Sequence, residues 1–254
     1  MSQTISVIGA GAWGTALAQA MAAGGHDVLL WAREPEVVAA INQSRENTVF
    51  LKDVMLSEQI KATESLAEAV HASDVLLLVT PAQAVRSICS DIAAIGSMKG
   101  KTLIICAKGF EIGTGHLLSN VVREVLPDVT PAVLTGPSFA TDIARGLPSA
   151  LTLATDNLDH GKDIRSQIGA KKLRLYVTQD MIGAQIGGAS KNVLAIASGI
   201  VIGRGLGESA RAALITRGVH EMGVLTSAMG GKKETLMGMC GLGDILLTCT
   251  SMQP

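Results

Sequence analysis

With 254 residues, 48% of them hydrophobic and 17% charged, the chain has material for one large or two smaller domains and is too apolar to stay disordered. A formal net charge of −1 gives no attraction to nucleic acid or to an anionic membrane, and 2% aromatic residues leave few faces on which bases could stack. Cys89, Cys106, Cys240 and Cys249 show no C-x-x-C spacing and read as reduced thiols of a cytoplasmic protein; the N-terminus has no basic n-region of a signal peptide.

In chain order, Ile5 to Ile8 predicts a short strand. Gly9, Gly11 and Gly14 follow at the G-x-G-x-x-G spacing, and an alanine-rich helical pattern runs to about Ala23. Gly9 permits the tight turn, Gly11 admits a pyrophosphate close to the backbone, and Gly14 lets the helix pack on the strand. That context points to a dinucleotide. The plainer alternative is a glycine-rich turn in a chain with 28 glycines.

Gly24-Gly25 ends the helix and Val28 to Trp31 predicts the second strand. Arg33 stands near the place where an acidic residue would hold an NAD ribose, which suits the 2′-phosphate of NADP. Glu34 beside it keeps NAD open, and a solvated strand-end arginine is the plain alternative. Glu36 to Asn42 is helical, residues 43–61 are polar without a clear element, and Ser65 to His71 predicts a short helix. VLLLV at Val75 to Val79 reads as a parallel strand covered on both faces. A helix at Ala82 to Ile95, a strand at Thr102 to Ala107, a helix at His116 to Leu126 and a strand at Ala132 to Leu134 follow. The alternation predicts an α/β, Rossmann-type, doubly wound parallel sheet.

Past Gln179 only helical patterns remain, at Ala189 to Ile202, Ser209 to Met229 and near Thr235. The expected division is a dinucleotide-binding domain over residues 1–180 and a helical substrate domain over 181–254 that closes a cleft. The apolar run Val193 to Ile202 is about ten residues where a span needs about 20, so a buried helix is expected.

Ligands in such sheets lie beyond the carboxyl ends of the strands. Lys108-Gly109 ends one strand there, as a functional cation or a snorkelling lysine. Gly136-Pro137-Ser138 ends another and opens a helix, as an anion site or a plain cap. Lys191 lies among small and apolar neighbours, either desolvated for proton transfer or at the wet edge of a helix. Asp244, in CGLGDILLTC, caps a helix or holds a substrate hydroxyl. Arg211 and Arg217 suggest interdomain ion pairs. His220-Glu221 lacks the second histidine of H-E-x-x-H because Val224 occupies its place, and Gly231-Lys232 lacks the rest of a P-loop.

GAGAWGTALA, LWAR, AKGFE, LTGPSFATDIARGLPSA, GGASKNVLAIASGI, ARAALITRG and GLGDILLTCT run in order through nearly the whole chain. Together they closely resemble bacterial NAD(P)-dependent glycerol-3-phosphate dehydrogenase; residues 48–63 match weakly. The resemblance implies reversible hydride transfer between NAD(P)H and C2 of dihydroxyacetone phosphate, giving sn-glycerol 3-phosphate for membrane lipid synthesis. It implies NADP as cofactor with NAD also admitted, a small-molecule substrate, no nucleic acid and no membrane insertion, and it is compatible with a homodimer. Lys191 matches the family's general acid/base, and Lys108 the lysine near both cofactor and substrate. Gly136, Ser138 and Asp244 match substrate-binding positions. Gly9, Gly11, Ala12, Trp13, Gly14, Arg33, Lys108 and Ala140 match cofactor-binding positions, with Ala12 standing where many members have serine.

The family pattern continues after TCT with a serine-arginine-asparagine run whose arginine contacts the cofactor and the substrate phosphate. Here Ser251-Met252-Gln253-Pro254 follows instead. Losing such a charge-assisted pair costs about 1.5–3 kcal/mol. A truncated helical domain with exposed apolar surface is therefore expected, and the alternative to an active dehydrogenase is a non-catalytic NADP-binding remnant.

Overall fold

The computed structural model describes residues 3–251; residues 252–254, on which the expected departure from the family run falls, lie outside the described residues. Eight strands form one sheet: β1 (Thr4–Ile8), β2 (Asp27–Trp31), β3 (Ile60–Thr63), β4 (Val75–Leu78), β5 (Thr102–Ile105), β6 (Thr130–Thr135), β7 (Ser149–Thr155) and β8 (Leu173–Thr178). Their spatial order is β3-β2-β1-β4-β5-β6-β7-β8. The helices between them are α1 (Ala12–Ala23), α2 (Pro35–Ser44), α3 (Leu66–Ala72), α4 (Val85–Ile95), α5 (Leu118–Val125), α6 (Ala140–Ala144) and α7 (Leu158–Ile168).

Alternation along the strands feeds a core on each face. Ile5, Val7, Val75, Leu77 and Ile104 pack with α1 and α2 on one side. Ile8, Leu76, Leu78, Leu103 and Ile105 pack with α4 and α5 on the other. Both faces being dry is why VLLL can be an unbroken apolar run.

The expected parallel Rossmann-type sheet is present, with one antiparallel neighbour pair at its far side. β7 runs antiparallel to β6, while the other neighbours are parallel. A parallel return needs a crossover of a dozen or more residues, usually a full helix. After β6 the chain turns back through α6, five residues long, and through Gly146 at φ +68°. α7 then supplies a full crossover, and β8 lies parallel to β7.

Every described element after β8 is helical: α8 (Met181–Gly203), α9 (Glu208–Ala228), a 3₁₀ turn (Lys233–Met237), a wide π-type turn (Met239–Gly243) and α10 (Asp244–Thr250). The Asp180 carboxylate caps α8 by accepting from the Gly183 N–H at 2.9 Å, and accepts from the Lys232 N–H at 2.9 Å. Gln185 joins α8 to α5: its Oε1 accepts from the Ser119 N–H at 3.0 Å and its Nε2 donates to Ser119 Oγ at 2.9 Å.

α8 is the one helix among the described residues long and apolar enough to cross a membrane. Its first half is buried against the sheet. The second half corrects the expectation of a buried helix, because Val193, Ile196 and Ile200 are 69%, 67% and 57% exposed. Leu194 turns inward instead, into a small third core with Ile215, Met222, Leu236 and Ile245.

Candidate active site

At the carboxyl ends of β1, β2 and β4 a cleft of about 550 Å³ opens, lined by residues 9–14, Arg33, Glu34, Phe50 and Thr80. Its floor is the glycine turn. Gly9 has φ +118°, and a Cβ there would stand 2.8 Å from the Val79 carbonyl oxygen. A Cβ on Gly14 would stand 1.8 Å from the Gly9 carbonyl oxygen, so α1 lies directly on the turn. At Gly11, the N-cap of α1, a Cβ would meet nothing within 4 Å. That open face fronts the unpaired N–H groups of a twelve-residue helix.

Further features fit a polar guest. Trp13 Nε1 and Thr80 Oγ1 are buried without a hydrogen-bond partner among the described residues. Native proteins seldom leave such groups unpaired, so each is a donor waiting for an acceptor. Arg33 is exposed on the cleft wall and forms no ion pair among the described residues, beside Glu34 at the N-cap of α2. The residues present fit a dinucleotide: backbone donors for the pyrophosphate and a free guanidinium for a 2′-phosphate.

A second group sits under the helical segment. Asp244 is fully buried. Its Oδ2 accepts from Lys108 Nζ at 2.6 Å and its Oδ1 from Lys191 Nζ at 2.7 Å. Lys108 also donates to the Gly136 carbonyl at 3.2 Å, and Lys191 donates to Thr248 Oγ1 at 3.1 Å. The two lysine side chains are 23% and 17% exposed, so both reach solvent through a narrow opening. Burial holds the Lys108 ammonium below the ordinary lysine range; Asp244 pulls it back up and Lys191 pushes it down.

These partners come from the loop after β5 and from α8 and α10, and small residues bring them together. A Cβ on Gly188 of α8 would stand 2.9 Å from Thr135 Oγ1 and 3.3 Å from the Lys108 stem. One on Gly187 would stand 2.2 Å from the Cys240 carbonyl oxygen in the π-type turn. Two ammonium groups on one carboxylate leave one positive charge, which suits an anionic substrate. Thr135 Oγ1 and Ser138 Oγ close by are buried without partners.

The structure thus brings Lys108, Lys191 and Asp244 together, with Gly136 adjoining through its carbonyl. It places Gly9, Gly11, Ala12, Trp13, Gly14 and Arg33 around the cleft. Ala140 is not on that wall; it opens α6 and packs against the first core. Ser138 is no helix cap, because the N-cap of α6 is Phe139, and α6 is too short to present a strong dipole to an anion. Arg211 and Arg217 pair with Glu208 and Glu221 along α9 itself, which corrects the interdomain expectation. Thr248 was missed, although its i, i+4 spacing from Asp244 on a helix was there to be read. All four cysteines are free and buried, and burial pushes the Cys89 thiol up to about 12.

A family model described as NAD-dependent glycerol-3-phosphate dehydrogenase N-terminus matches residues 4–160, and one described as its C-terminus matches residues 180–254. Glycerol-3-phosphate dehydrogenase (NAD(P)+) of Parvibaculum lavamentivorans is 51% identical over 247 residues, covering 97% of this chain and 74% of that protein. That of Hyphomonas neptunium is 49% identical over 98% of this chain and 74% of its own length. Among solved structures, glycerol-3-phosphate dehydrogenase from Coxiella burnetii superposes with a TM-score of 0.93 at 39% identity, covering 99% of this chain and 77% of that one.

Proposed function

Because the chain belongs to the NAD-dependent glycerol-3-phosphate dehydrogenase family, we propose that it interconverts dihydroxyacetone phosphate and sn-glycerol 3-phosphate with NADP, or NAD, as cofactor. When bound, the nicotinamide supplies the hydride for C2 and takes it back in the reverse direction. The glycine turn and α1 receive the pyrophosphate, and Arg33 takes the 2′-phosphate of NADP. The product serves phospholipid synthesis in the cytoplasm, and we place the division between the dinucleotide unit and the helical unit at Asp180.

Lys191 is the general acid/base. Its ammonium donates a proton to the substrate's carbonyl oxygen as charge develops there, and its neutral amine takes the proton back from the hydroxyl in reverse. Lys108 holds the substrate phosphate side of the site by charge. Each Asp244 oxygen has one ammonium partner and a second lone pair, so the carboxylate can also accept a substrate hydroxyl while it aims both lysines. Gly136 accepts from Lys108 through its carbonyl, and Ser138 two residues on carries a buried, unpaired hydroxyl.

The observation that carries this reading is the buried Lys108–Asp244–Lys191 chain, whose Lys108 follows two residues after Cys106 on the wall of the glycine-turn cleft. The test follows NADPH oxidation with dihydroxyacetone phosphate in wild type and Lys191→Ala. Loss of a positioned acid/base lowers turnover by about 10²–10⁴-fold while NADPH binding persists. A near-wild-type rate in Lys191→Ala overturns the assignment.

A further inference from the structure

Residues 45–59, between α2 and β3, carry no regular element, yet a polar side chain in that segment, Asn47, is completely buried. Asn47 uses both amide hydrogens on the glycine turn. Its Nδ2 donates to the Ala10 carbonyl at 2.8 Å and to Thr15 Oγ1 at 2.8 Å. Its Oδ1 accepts from the Phe50 N–H at 3.0 Å, and its own carbonyl accepts from the Leu51 N–H at 3.0 Å. Thr15 Oγ1 in turn donates to the Ala10 carbonyl at 3.2 Å. One amide therefore holds the peptide between Gly9 and Gly11, the first turns of α1 and a loop turn. That loop turn sets Phe50 on the cleft wall, 43% exposed although large and apolar.

We propose that Asn47 is a positioning residue for the dinucleotide: it fixes the curvature of the glycine turn and presents Phe50 as an apolar wall that the bound cofactor covers. The turn works by aiming backbone N–H groups, so its shape is its affinity. An exposed phenyl ring on the wall of an open cleft gains by being covered. The inference rests on the dinucleotide reading above.

The chain has two tryptophans, Trp13 and Trp31, and both line this cleft, so quenching of their emission by NADPH reports occupancy without turnover. Titrations compare wild type with Asn47→Ala, Asn47→Asp and Phe50→Ala, and with Val122→Ala, a core truncation on α5, as a control for lost stability. Asn47→Asp keeps the acceptor for the Phe50 N–H but sets a carboxylate against the Ala10 carbonyl. The expected result is that both Asn47 variants bind NADPH about tenfold more weakly, Phe50→Ala about threefold, and Val122→Ala as wild type. Turnover at saturating NADPH stays at the wild-type level in the Asn47 variants, so the loss appears in KM alone. Wild-type affinity in both Asn47 variants, or equal weakening in Val122→Ala, overturns the proposal. If the Asn47 variants do not fold, Phe50→Ala on the surface decides, and unchanged affinity there overturns it. Absence of quenching in the wild type sinks the dinucleotide reading itself, before any variant is compared.

Discussion

The nucleotide cleft and the lysine–aspartate chain are built on opposite plans. The floor of the cleft is made of backbone from one short stretch: a strand, a turn and the start of a helix within residues 4–15. The chain of charges is made of side-chain tips 136 and 53 residues apart, brought together where the loop after β5 meets α8 and α10. The turn is shaped mostly by its own glycines, with Asn47 holding it from outside. A buried carboxylate needs both its cations, because an uncompensated charge in a dry site is costly. The first plan leans on few distant contacts, Asn47 among them, and the second fails if any one of three elements shifts.

The largest effect that would sharpen this contrast is expected at Asp244. Asp244→Ala leaves two ammonium groups facing each other, and breaking such a buried pair costs about 3–5 kcal/mol, read as a lower urea midpoint. Turnover falls with it, while NADPH quenching of tryptophan stays within twofold of wild type, by about the margin that separates independent sites. If quenching is lost as well, the two regions are not separable. At the other region, Gly14→Ala forces a Cβ into the Gly9 carbonyl and costs about 1–3 kcal/mol of overpacking, with NADPH affinity falling first.

A smaller effect is expected at Arg33. Arg33→Asp removes a charge-assisted contact and shifts preference from NADPH toward NADH by about 1.5–3 kcal/mol. An unchanged ratio of the two kcat/KM values removes Arg33 from 2′-phosphate recognition. The smallest effect lies outside both regions. The Arg86 guanidinium beside Glu111 holds that carboxyl down to about 2, and Thr114 adds to it. A depressed folded pKa means stability that is complete above the ordinary glutamate range and is lost as pH falls toward 2. Glu111→Gln should flatten that part of the acid-unfolding curve, and a curve identical to wild type shows that the pair adds nothing.

The same contrast explains what the sequence disclosed. The glycine turn, the VLLL strand and α1 were readable because their signals are local: a spacing, an apolar run, a helical period. β7 and β8 escaped because SALTLAT and LRLYVT are short, and the intervening α7, LDHGKDIRSQI, buries only Gly161, Ile164 and Ile168. Lys108, Lys191 and Asp244 were each singled out, but only the folded chain shows that they share one carboxylate. Asn47 lay in the stretch that suggested no element, since a side chain bonded to main chain elsewhere leaves no periodic trace. The buried-helix expectation for residues 193–202 failed because composition sets how apolar a helix is, not how much of it finds a neighbour.

The widened turn at Met239–Gly243 has a consequence for how this protein tolerates changes of length. Each residue of a regular helix rotates its side chain by about 100°, so adding or removing one position swings everything downstream to another face. Here the extra loop of backbone sits immediately before Asp244. A single-codon deletion inside it would let the segment settle as an ordinary helix, yet carry the carboxylate and the rest of α10 about a quarter of a revolution off target. The protein would look folded by circular dichroism and be chemically mute.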